Sequence, residues 1–159
     1  MIKLMGMISI FIASSVMGFI MAKELNERTL CLKEIYDSVI HIKSELEYRG
    51  ADVADCFRRR GRLFKTASIY LDEGMLPADA LKKACGDLKE LNEADRSVIN
   101  AYAENLYAED IGGQIANVNL FLENLRGCIR NSEEEYHTKN RLYKAGGTIA
   151  GMGIIILLI

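Results

Sequence analysis

Hydrophobic and polar positions follow three different patterns along the 159-residue chain. Leu4–Ala22, "LMGMISIFIASSVMGFIMA", is an uncharged run of nineteen residues. As a helix it would reach about 28 Å, close to the thickness of bilayer hydrocarbon, so the pattern predicts a transmembrane helix. A cleaved signal peptide also opens with a basic residue and an apolar run. This run is longer than a usual signal core, and no small-x-small pair precedes Lys23, so the reading retained is a membrane span over 1–22.

A helical rhythm replaces the uniform run from Lys23 onward. Leu25, Thr29, Leu32, Tyr36, Val39 and Leu46 recur at alternating four- and three-residue spacing, and Ile35 and Ile42 widen the stripe. Nothing breaks the chain between the apolar run and this stripe, which predicts one helix running to about Tyr48. The same rhythm returns in Ile115, Val118, Leu122, Leu125, Ile129 and Tyr136, with Ser132 and Lys139 as weak positions and Tyr143 back in phase. This second long helix is expected to start near Asp110 and to continue into a final uncharged segment, Ala145–Ile159, of about 22 Å as a helix. Leu142 and Tyr143 extend its reach while Arg141 and Lys144 snorkel toward head groups. A buried core helix is the alternative, but an all-apolar run such as Ile154–Ile159 has no face for water, so 145–159 is read as a second span.

Between the stripes the chain reads as short helices: about Asp52 to Arg59, Leu63 to Glu73, Ala78 to Cys85 behind Pro77, and a helix capped by Asn92 and Asp95 that ends near Tyr107. No strand-like alternation appears, and the chain has one proline. The expected fold is an all-α helical bundle over 23–144, carried on two transmembrane helices.

Charge sharpens this organisation. The formal net charge is -2, and Lys3 is the only charged side chain outside Lys23–Lys144. Lys23, Arg28 and Lys33 follow the first span and Arg126, Arg130, Lys139, Arg141 and Lys144 approach the second, which predicts a cytoplasmic charged domain with both termini on the opposite side. The four cysteines show no CxxC spacing, as expected of reduced packing residues, and the two histidines lie far from any cysteine pair, so no metal or other cofactor is expected.

Candidate chemistry is sparse, and no enzymatic activity is expected. His41 with Asp37 one turn away is an acid–base pair in outline only, better read as a surface histidine on a charged helix. The "GGQ" of Gly112–Gln114 lies in a helix start. The basic cluster Arg58–Arg62 is short and broken by a turn glycine in an acidic domain, and is read as a solvated turn rather than a nucleic-acid contact. The residues singled out instead are Asp110, Gly113, Gln114 and Asn117, as a helix start or a partner-docking edge. Asp110 suits an N-cap, the glycine permits close helix approach, and the two amides suit backbone groups. Ser14, Gly18 and Ala22 in one span and Gly147 and Gly151 in the other follow a small-xxx-small pattern that lets membrane helices touch. Paired spans would bring the Leu25 end of one stripe near the Tyr143 end of the other.

Three stretches, "GFIMAKELNERTLCLKEIYDSVIHIKSELEY", "AEDIGGQIANVNLFLENL" and "KNRLYKAGGTIAGMGIIILLI", resemble the stage III sporulation protein AB family of endospore-forming bacteria in order and spacing. Residues from about Arg49 to Asn100 share only the family's helical character, and the chain lacks the tryptophan that family members often carry after the position of Pro77. The resemblance implies a mother-cell protein of the outer forespore membrane. It would serve as a scaffold subunit of the secretion-like assembly that links mother cell and forespore. It also implies a soluble domain similar to the cytoplasmic domains of type II secretion platform proteins, and partners among the other assembly membrane proteins, including the secretion-type ATPase stage III sporulation protein AA. A membrane-tethered adaptor unrelated to secretion is the alternative.

Overall fold

The computed structural model describes residues 2–49, 56–58, 61–106 and 111–158. Five helices run in the order α1 (Ile2–Arg49), α2 (Arg62–Asp72), α3 (Pro77–Asp87), α4 (Glu93–Glu104) and α5 (Ile111–Leu158), and no strand occurs among the described residues. The two long helices each continue from an apolar segment into a charged one without a break. Of the helix expected at Asp52 to Arg59, only 56–58 are described, and Asp110 and Tyr107 lie outside the described residues.

Local chemistry accounts for the short helices. Pro77 stands in the first turn of α3, where its missing N–H is no loss. At α4, Asn92 Oδ1 accepts from the Asp95 amide at 2.9 Å and Asp95 Oδ2 accepts from the Asn92 amide at 3.2 Å, a reciprocal capping box. α2 ends at Gly74 (φ 91), with the Met75 amide bonded to the Tyr70 carbonyl and the Gly74 amide to that of Leu71, the Schellman arrangement that a left-handed glycine makes possible.

The chain forms two compact units: 1–29 with 131–159, and 30–130. In the second unit Leu32, Ile35, Val39, Ile42 and Leu46 bury the α1 stripe, and Val118, Phe121, Leu122 and Leu125 bury that of α5. Phe57, Phe64, Leu81, Ile99 and Tyr102 fill the remaining core, with Tyr102 stacked on Phe121 at 4.2 Å between ring centroids. The Tyr102 hydroxyl has no hydrogen-bond partner, and its burial raises its pKa.

In the first unit the halves of α1 and α5 pair. Among the described residues no helix is long and apolar enough to cross a membrane. The backbone over Leu4–Ala22 and Ala145–Leu158 is helical, but many side chains there, including those of Ser14, Gly147 and Gly151, lie outside the described residues. What is described of the first segment is apolar and outward-facing: Ile12, Val16, Met17, Phe19, Ile20 and Met21 are each 40–58% exposed, while Gly18 and Ala22 are buried.

Candidate helix-packing and docking site

The start of α5 is held to the end of α4 by Asn117. Its Nδ2 donates to the carbonyl oxygens of Asn105 at 2.8 Å and Tyr102 at 3.3 Å. Those carbonyls belong to the last turn of α4 and its cap, where a helix has no N–H of its own to offer. Gly113 and Gln114 are half-buried one turn earlier. Asn117 therefore takes part in a helix junction inside the second unit.

A second junction gathers around Arg62, the first residue of α2. Gly61 precedes it at φ 75, and a Cβ there would run into the Ser38 hydroxyl of α1, so only glycine lets the chain enter α2 this close to α1. No side chain on α2's own N-cap serves the helix start. Glu34 of α1 does so from across the contact: Oε1 accepts the Arg62 amide at 2.9 Å and Oε2 accepts its Nε at 3.0 Å. The same guanidinium reaches Glu90 Oε1 at 2.7 Å, tying α1, α2 and the α3–α4 connection together. Its hydrogen bond holds the Glu90 carboxyl below its ordinary value, and the two carboxylates raise the Arg62 pKa. Arg58 pairs with Asp72 at 2.7 Å, so two arginines of the basic cluster are neutralised within the unit.

Beside this junction a shallow groove is lined by Glu34, Asp37, Ser38, Ile40, His41, Gly61 and Lys65. His41 and Asp37 are exposed. The four cysteines form no disulfide: Cys31, Cys56 and Cys85 are buried and Cys128 is half-buried. Burial pushes the Cys31 and Cys85 thiols up to about 11. Among the described residues no group of three or more His, Cys, Asp or Glu is placed to hold a metal ion.

The first unit has its own polar contact. Arg28, with a side chain only 11% exposed, bonds Glu135 Oε2 at 2.5 Å, and Lys139 bonds Glu135 Oε1 at 2.8 Å. The Lys139 hydrogen bond leads in lowering the Glu135 pKa. One residue along, the buried hydroxyls of Thr29 and Ser132 lie 2.6 Å apart. These pairs set the antiparallel register, in which Leu25 stands opposite the turn of Tyr136. Tyr143 lies seven residues further along, about 10 Å of helical rise. The expected meeting of Leu25 and Tyr143 is thereby corrected, because it assumed a register one heptad away.

Sequence reasoning missed both the Arg62 junction and this contact. Order along the chain carries no sign that Glu34 and Glu90 converge on Arg62. The weak positions in the two stripes were the available signal for Thr29 and Ser132.

The profile of the family described as "Stage III sporulation protein AB" matches residues 3–159. The chain belongs to the stage III sporulation protein AB family. It is similar to the stage III sporulation protein AB of Bacillus subtilis (strain 168), 25% identical over 171 residues that cover 99% of each chain. Family membership therefore extends through the middle helices, where the resemblance read from sequence was weakest. No solved structure matches the chain.

Proposed function

We propose that this family member is a membrane-anchored, non-catalytic scaffold subunit of a sporulation assembly, held by the apolar ends of α1 and α5 in the outer forespore membrane on the mother-cell side. The observation that carries it is the surface of α1 between Ile12 and Met21. Six large apolar side chains are exposed there. At 100° per residue they point to most of the helix circumference, leaving only the Gly18–Ala22 line buried. A soluble amphipathic helix keeps a polar face; this one offers water none, whereas acyl chains suit it on every side. The charged second unit then stands as a cytoplasmic docking body for other assembly proteins. The secretion-type ATPase stage III sporulation protein AA is the first candidate, in a role like that of type II secretion platform subunits.

Fractionation of sporulating cells tests the anchor: the chain should stay in the membrane pellet through alkaline carbonate, and a reporter fused near Arg60 should be active only in its cytoplasmic form. Release by carbonate, or activity of an exported-type reporter, would overturn the proposal. Capture of the ATPase by the full chain in detergent separates the scaffold role from a membrane-tethered adaptor outside secretion.

A further inference from the structure

We infer that Thr29 and Ser132, together with Arg28 and Glu135, form a register key that selects one alignment of α1 and α5 from several the apolar stripes would accept. Both stripes repeat every seven residues, so sliding α5 by one heptad returns apolar residues to apolar positions: Leu25 leaves Tyr136 and meets Tyr143 instead. Hydrophobic burial therefore discriminates poorly between the two alignments. The polar contact discriminates strongly.

In the observed register Thr29 Oγ1 lies 2.6 Å from Ser132 Oγ and 3.2 Å from the Leu25 carbonyl oxygen. The consistent assignment has Ser132 donating to Thr29, and Thr29 donating to that carbonyl. Both hydroxyls are satisfied, although Ser132 is 1% and Thr29 6% exposed. After a seven-residue slide Thr29 would face Lys139 and Arg28 would face Leu142. Ser132 would lose its partner, and the Arg28 guanidinium would lose the carboxylate it meets at 2.5 Å. An orphaned buried polar group costs more than its bond contributed, so the penalty falls on the slipped state rather than the reward on the native one. A buried polar residue at a single stripe position is a known means of specifying coiled-coil register at some loss of stability. Here the device is shared between two helices of one chain.

Cysteine crosslinking of the purified full-length chain tests the key. Leu25→Cys with Tyr136→Cys reports the observed register; Leu25→Cys with Tyr143→Cys reports the slide, and mass spectrometry of the linked peptides separates both from the native thiols. Without further change, only the first pair should crosslink. Adding Thr29→Val and Ser132→Ala should make the second crosslink appear, while the melting temperature stays level or rises. Thr29→Ser, which keeps the hydroxyl, should leave the second pair unlinked. A double variant that still crosslinks only through the first pair overturns the inference. So does a fall in its melting temperature or loss of its helicity, since the hydroxyls would then be stability elements.

Discussion

Glu34 receives both the backbone amide and the side-chain Nε of Arg62, at 2.9 and 3.0 Å, so one carboxylate from α1 serves as helix cap and ion-pair partner to α2. The two roles separate by mutation. Glu34→Ala removes cap and ion pair together and is expected to destabilise the second unit by about 1–2 kcal/mol. Arg62→Ala leaves the cap intact and removes half-exposed ion pairs, and should cost less, on the order of 0.5–1 kcal/mol. Denaturant unfolding of the two variants checks the order; an Arg62→Ala loss larger than that of Glu34→Ala would show that the ion pairs dominate.

The same junction predicts acid sensitivity. Glu90 has a lowered pKa, caused first by the Arg62 hydrogen bond. A carboxyl whose folded pKa is depressed contributes stability above its unfolded value and loses it as pH falls through the folded one. The contribution should be complete above the ordinary value of 4.5 and fade below it. Melting temperatures measured from about pH 6 down to about pH 3 should fall less steeply in Arg62→Ala than in the unaltered chain.

Asn117 lends itself to an isosteric test. Asn117→Asp keeps the shape, replaces the donor with an acceptor, and sets a negative charge against two carbonyl oxygens at the end of α4. It should destabilise the chain by about 2 kcal/mol, against about 1 kcal/mol for Asn117→Ala. Gln114→Ala serves as the docking control: partner capture lost with the unfolding midpoint unchanged would assign that residue to a docking edge.

Thiol reactivity should rank by burial. With their thiols near 11, Cys31 and Cys85 present about one thiolate in a thousand at pH ~8 and sit out of solvent. Half-buried Cys128 should alkylate first in the native chain, and the other three only as the second unit opens. Mass-resolved labelling over time gives the order directly.

Long-period features of this fold were legible before any coordinates. The stripes of α1 and α5 run over many turns, so both helices follow from repetition alone, and the Asn92–Asp95 box and Pro77 mark helix starts with side chains that have few other uses there. What could not be read depends on residues distant in the chain. Glu34, Arg62 and Glu90 look like three unrelated surface charges, and α2 starts at a bare glycine because its cap comes from α1. Register fails for a related reason: a heptad repeat determines which face is buried while leaving the alignment along the axis open, and Leu25 was therefore matched to Tyr143 instead of the Tyr136 turn. Asn117 was singled out as an amide suited to backbone groups, yet its carbonyls on α4 could be named only once the helices were packed.

The α3–α4 connection carries a further consequence. Arg96 donates to the carbonyl oxygens of Gly86, Leu88 and Leu91, at 3.0, 2.9 and 3.2 Å, while the Asn92–Asp95 box secures the other side. A protease must draw several residues into an extended strand before it can cut, and here that requires breaking the guanidinium contacts and the helix start together. Lys89, although exposed, should survive trypsin in the native chain long after looser basic sites are cleaved. The chain's most solvent-accessible tight bend is thereby one of its least digestible.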